Sequence, residues 1–248
     1  MGRKAVSRKK QQPQFDDSVV IELPTSRRRK RWSEHDLKSI KAMNPRQADF
    51  LHGWFEGNNV CAYGSAGSGK SYLAVYAALT ALFDSRESAQ RIIIVRSAVS
   101  TRDIGFLPGK IEEKQQPFEQ PYVDILEDLI GRASTYQDMV DAGAIEFVLT
   151  SHVRGLTWDN AVVIIDEAQN MTFHEINSVI TRLGKGSRVI IAGDTKQTDL
   201  VKNSRDTEGF SKAINIMTTL GATIVCYQPE DIVRSGFVRS WLIACEDT

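Results

Sequence analysis

The residues of this chain that could do chemistry fall into three short clusters. The first is Gly64-Ser65-Ala66-Gly67-Ser68-Gly69-Lys70-Ser71, set between an apolar run and a helix-like run, with Tyr72 directly after it. Its glycines let backbone N–H groups turn inward around phosphate oxygens, at the positive end of the dipole of the following helix. Lys70 adds a point charge for the β and γ phosphates of a nucleoside triphosphate, and the Ser71 hydroxyl is placed to ligate Mg2+. With glycine near 7% of residues, this spacing arises by chance in a chain of such length about once in a hundred.

Holding phosphate is not yet a reaction, and the second cluster supplies one. The run "VVIIDEAQN" sets Asp166 and Glu167 at the end of a strand-like segment, where α/β sheets place their ligands. Asp166 can hold Mg2+ through its water shell, leaving Glu167 to orient or deprotonate an attacking water. That pairing suits hydrolysis, because a kinase needs a base for its acceptor hydroxyl instead. A third cluster, "IIAGDTKQTDL", brings Asp194 and Gln197 to the end of the next strand-like run. An amide there can touch both the γ-phosphate and the water, and so register whether the triphosphate is intact.

These clusters need elements to position them. Strand-like runs occur at 59–63, 91–95, 144–150, 161–166, 188–193 and 222–227, several of them unbroken β-branched stretches. Such runs mark strands buried on both faces of a parallel sheet. Between them "SYLAVYAALTALF", "PYVDILEDLIG", "FHEINSVITRLG" and "EGFSKAINIMTTLG" carry helical spacing, with Gly184 and Gly221 as expected C-caps. The alternation predicts a doubly wound α/β domain over residues 33–248, mainly parallel, with helices on both faces.

Composition narrows the setting. With 248 residues and 42% apolar content the chain can bury one full core. Cys61, Cys226 and Cys245 form no CxxC pair, which argues for a reducing compartment, the cytoplasm, and against a zinc site. His35, His52, His152 and His174 have no ligand spacing. No apolar run reaches the roughly 20 residues of a membrane span, and no h-region of a signal peptide opens the chain. The formal net charge of zero conceals an asymmetry: residues 1–32 carry ten basic side chains against three acidic, a net of +7 that leaves −7 for the remainder. That arm reads as loosely held, its charge directed either at nucleic acid or at the acidic body of its own or a neighbouring chain.

Beside the three clusters, "DIGFLPGKIEEK" (103–114), "RGLTWDNAVVIIDEAQN" (154–170), "ITRLGKGSRVIIAGD" (180–194) and "EDIVRSGFV" (230–238) complete a pattern from about Asn44 to Cys245. The pattern resembles the PhoH family of P-loop ATPases, whose RecA-like core is related to superfamily-one helicases. The resemblance implies ATP with Mg2+ as cofactors, RNA before DNA as the nucleic acid, and Gln47 of "NPRQADFL" as a reader of the adenine edge. Arg154, Arg182 and Arg234 match family arginines; each can serve as a transition-state charge, an RNA contact or a structural ion pair, and Arg234 resembles a sensor or finger position. Two departures, "GSAGSGKS" for the frequent "GPAGTGKT" and "GDTKQTDL" without the usual Pro or Ile, keep the atoms the chemistry needs. The family also includes longer members with a fused PIN nuclease domain; this length leaves no room for one, and nuclease activity is not expected.

Helicases of this type close ATP between two RecA-like domains, the second supplying an arginine worth about 10^3 to 10^5 in rate in related NTPases. A single such domain predicts that another copy completes the site, in a ring-like homo-oligomer, most simply a hexamer. Segment 97–117, with Phe106 and Leu107 beside Arg102 and Lys110, is the candidate pore or interface loop, or else a hairpin on the sheet edge. A nucleotide-dependent oligomeric switch that regulates a partner protein stands as the alternative to a motor.

Overall fold

In the computed structural model of the chain, residues 32–97, 111–153, 155–194 and 209–246 are described. Six strands, β1 (Val60–Gly64), β2 (Arg91–Arg96), β3 (Ile145–Leu149), β4 (Ala161–Ile165), β5 (Arg188–Gly193) and β6 (Thr223–Tyr227), coincide with the six runs read as strands. They form one sheet in the order β3-β2-β4-β5-β1-β6, every pair parallel. β4 is buried along its whole length, as an unbroken Val/Ile run requires when both faces are covered.

Alternate side chains divide that cover. Ile92, Ile94, Val162, Ile164 and Ile190 point to a first face, packed by α1 (Pro45–Phe55), α2 (Lys70–Phe83), α3 (Ile111–Ile130) and α4 (Thr135–Asp141). Ile93, Val95, Val163, Ile165, Val189 and Ile191 point to a second, packed by α5 (Phe173–Ile180) and α6 (Gly209–Thr219). Burying each such aliphatic side chain contributes about 1.5–3 kcal/mol, so the two cores outweigh any single cap or turn. β1 leads into α2 on the first face, while the next described helix after its neighbour β5 is α6 on the second. A crevice therefore opens at the C-terminal ends of β1 and β5, the switch point where such sheets bind ligands.

Local chemistry explains most helix ends. Asn44 caps α1, accepting from the Gln47 N–H at 2.9 Å, with Pro45 at the first helical position. Thr172 and Glu175 form a capping box on α5. Gly221, at φ 77°, closes α6 as expected. Gly184 does not close α5, which ends at Ile180. The chain there leaves the helix because Trp158 N–H donates to the Arg182 carbonyl and Gly184 N–H to the Trp158 carbonyl, both at 2.8 Å.

Helix α3 begins ten residues before the expected Pro121 and runs through Pro117 and Pro121. Each proline removes a helical donor, but Tyr122, Leu126 and Leu129 are fully buried in the first core and hold the helix across the loss. Residues 111–117, expected within a loop, are therefore helical, and 98–110 lie outside the described residues. Three helices, α1, α4 and α7 (Gly236–Glu246), have no counterpart among the four segments of helical spacing read from sequence. Trp32, Trp54 and Trp158 are buried packing residues, whereas Trp241 on α7 is exposed. No described helix is long and apolar enough to cross a membrane.

Candidate active site

The glycine loop is shaped by its backbone. Gly64 ends β1 at φ 109°, and a Cβ there would overlap the carbonyl oxygen of Tyr227 on the adjacent strand β6. That same carbonyl accepts from Ser65 N–H at 3.1 Å. Gly69, at φ 88°, turns the chain into α2, whose first N–H groups have no intrahelical partner and face the crevice.

Neighbouring segments brace the loop from beneath. Val233 N–H donates to the Gly67 carbonyl at 3.0 Å, and Ser68 Oγ donates to the Ser65 carbonyl at 2.9 Å. Gln47 is buried with both ends of its amide engaged: Oε1 accepts from Met43 N–H at 2.8 Å and Nε2 donates to the Ser68 carbonyl at 2.9 Å. Lys70 folds back on its own loop, donating to the carbonyls of Gly64 (2.7 Å) and Ser65 (2.8 Å).

Across the crevice the acids are held by side chains. Asp166 Oδ1 accepts from Ser71 Oγ and from Glu167 N–H, both at 3.0 Å, and Oδ2 accepts from the Tyr122 hydroxyl at 2.7 Å. Glu167 sits in the left-handed region at φ 53°, an unusual place for a non-glycine residue and one found at functional sites. Gln169 Nε2 donates to Glu167 Oε2 at 2.6 Å, and Gln169 Oε1 accepts from Asp194 N–H at 2.9 Å. One amide thus links the second acid after β4 to the residue that follows β5. Burial raises the Glu167 pKa, and the Asp166 charge raises it further, against the opposing influence of Arg96, Gln169 and Lys70. A carboxyl so placed is a stronger base once ionised than a solvent-exposed one.

Between the two sides lies a cleft of about 500 Å3, within the range of small-ligand sites. Ala66, Gly67, Gly69, Lys70, Ser71 and Tyr72 line one wall. Asp166, Glu167, Asp194 and Arg234 line the other parts, so these ten sequence-predicted residues come together. Tyr72 gives its hydroxyl to Asp128 of α3 at 2.7 Å. Gly64, Ser65, Ser68 and Gln47 support the loop without lining the cleft. Arg182 is not brought in: its carbonyl pairs with Trp158, which precedes β4, at the opposite end of that strand from Glu167. The five residues of β4 separate the two ends by about 16 Å. Gln197 and Arg154 lie outside the described residues.

Three residues that act on the acidic pair had no assigned role in the sequence reading: Tyr122, Gln169 and Arg96. Nor had Asp124, Ile125 and Asp128 of α3, which line the cleft. Arg96 ends β2 beside β4, with its guanidinium 5.8 Å from the Phe118 ring, and its charge acts on Glu167 and Tyr122. Only Gln169 had a local signal, its place two residues after Glu167. The donor set also bears on the metal. Among the described residues no group of three or more His, Cys, Asp or Glu could hold an ion. Mg2+ commonly takes one or two protein oxygens and fills its octahedron with phosphate and water, and the convergence of Ser71 Oγ on Asp166 fits that demand.

A family profile described as PhoH-like protein matches residues 39–246. The chain belongs to the PhoH-like family. It is 36% identical over 203 residues to the PhoH-like protein of Bacillus subtilis (strain 168), covering 81% of this chain and 62% of the relative. Protein PhoH of Escherichia coli (strain K12) is 34% identical over 212 residues, covering 84% and 59%. The PhoH-like protein of Mycobacterium leprae (strain TN) is 35% identical over 181 residues, covering 72% and 50%. This PhoH-like chain therefore spans between half and two thirds of the length of these relatives. The large terminase of bacteriophage HK97 shares the fold, with a TM-score of 0.50 over 85% of this chain and 48% of the terminase, at 13% identity.

Proposed function

We propose that this PhoH-like chain is a Mg2+-dependent ATPase that couples hydrolysis to binding or remodelling nucleic acid, RNA before DNA, as a helicase-like motor in a homo-oligomeric ring, most simply a hexamer. The observation that carries the hydrolytic reading is the Asp166–Glu167 pair facing the phosphate loop, with Ser71 bonded to Asp166 at 3.0 Å. Bound Mg2+ would neutralise charge on the β and γ phosphate oxygens. Ser71 and Asp166 are the residues to hold it. Lys70 moves from the Gly64 and Ser65 carbonyls onto the triphosphate, and the loop N–H groups hold its oxygens. Glu167 takes the proton of the attacking water at Oε1, since Gln169 occupies Oε2. Gln47 would read adenine with the second N–H of Nε2 or the second lone pair of Oε1, while its bonds to the Ser68 carbonyl and Met43 N–H hold the amide in place.

Arg234 lines its own chain's cleft and so leaves the trans-acting arginine unassigned. One observation supports the ring. On α7, Phe237, Val238 and Trp241 are exposed, while Leu242 of that helix lies against Gly67 of the loop, so an apolar surface adjoins the nucleotide cleft. The basic residues before Trp32 suit phosphate neutralisation.

The test is the mass of the full chain with and without ATP and Mg2+, measured beside turnover with and without single-stranded RNA. A nucleotide-dependent closed oligomer whose turnover rises with RNA is expected. A monomer under all conditions sinks the ring. Turnover blind to RNA, and unchanged when residues 1–32 are deleted, leaves the oligomeric switch as the better account.

A further inference from the structure

Tyr122 belongs to α3, not to the C-terminal end of β4 that carries the acids, and it is fully buried. Its ring packs 6.0 Å from that of Phe147 on β3. A buried phenol needs a partner for its hydroxyl, and the partner here is Asp166 Oδ2, 44 residues along the chain and 2.7 Å away. Asp166 Oδ1 is taken by Ser71 Oγ and Glu167 N–H, so among the described residues Tyr122 is the donor to the far oxygen. Without it, Oδ2 is an acceptor lacking its bond, and rotation of the carboxylate about Cβ–Cγ is restrained from one side alone. Removing one oxygen atom from α3 would then let Oδ1 drift from Ser71.

We propose that Tyr122 is a positioning residue for the metal-holding acid: its hydroxyl fixes the rotation of the Asp166 carboxylate, so that α3 sets how tightly the site retains Mg2+. The inference rests on the reading of Asp166 and Ser71 as the Mg2+ residues. It differs from a packing role because a phenylalanine would fill the same space between α3 and β3. Partners one shell out from a metal ligand commonly affect metal affinity by about 10- to 100-fold when removed, and a single hydrogen bond to a carboxylate held also by Ser71 and Glu167 belongs at the low end.

The experiment uses the full chain and a fluorescent, non-hydrolysable ATP analogue, bound first in EDTA and then across a Mg2+ titration. Wild type is compared with Tyr122→Phe, with 4-aminophenylalanine at position 122, and with Asp166→Asn. In EDTA, Tyr122→Phe should bind the analogue as wild type does. The Mg2+ concentration giving half of the metal-dependent gain in affinity should rise about tenfold, and the aryl amine, a weaker donor of the same shape, should fall between. Three results overturn the proposal: a wild-type Mg2+ midpoint in Tyr122→Phe, an equal loss of affinity with and without Mg2+, or no recovery in the amine. Should the phenylalanine chain not fold, 4-fluorophenylalanine at position 122, which fills the space without donating, takes its place, and a wild-type midpoint there overturns the proposal. An unchanged Mg2+ response in Asp166→Asn instead removes the reading of the metal site on which the inference stands.

Discussion

The two walls of the cleft are made differently. The phosphate wall is backbone: Gly64 to Ser71 are contiguous, their carbonyls are satisfied by Lys70, Ser68 and Val233, and the bends need glycine. The acid wall is side chains from distant segments: Asp166 and Glu167 just after β4, Tyr122 of α3 and Gln169, tied to Asp194 just after β5. A wall of backbone tolerates changes in most side chains but no change in its turns. A wall of side chains has turns to spare and depends on each donor. Nucleotide affinity should therefore belong to the first wall and turnover to the second.

The largest expected effect separates them outright. Glu167→Gln should lower turnover by about 10^2 to 10^4, the range of general-base contributions, with ATP affinity near wild type, measured by steady-state hydrolysis and equilibrium binding. Lys70→Ala should lower turnover by about 10^2 to 10^3 and, unlike Glu167→Gln, also weaken binding of the triphosphate. Gly64→Ala should act on folding, reducing stability by about 1–3 kcal/mol, since it forces a left-handed alanine against the Tyr227 carbonyl; denaturant unfolding reads this. Gln169→Leu should cost about tenfold in turnover, roughly 1.4 kcal/mol, by releasing Glu167 Oε2. A Gln169→Leu chain that loses nucleotide affinity as much as turnover would break the division between the walls.

The same division governs what could be read from the sequence. The glycine loop was legible as a turn into a helix because its bends are written in eight consecutive residues. All six strands were legible as well, because runs such as Ile92–Val95 and Val162–Ile165 are apolar on both faces. Tyr122 was not legible, since its role depends on α3 crossing the sheet so that a residue after Pro121 reaches the end of β4. Arg96 needed the register of β2 against β4, which places Val95 opposite Ile165. Gly184 marks the opposite error: a glycine read as a helix cap is instead set where a Cβ would collide with Asp159, a close approach that no local pattern announces.

The left-handed backbone of Glu167 has one more consequence. A glycine would occupy φ 53° at lower cost, and it would also relieve the burial of a second carboxyl beside Asp166, the cause of the raised pKa. Selection for heat resistance alone would thus favour losing this side chain. The position is one where durability and rate pull in opposite directions: Glu167→Gly is expected to melt higher than wild type in a thermal scan while hydrolysing almost nothing.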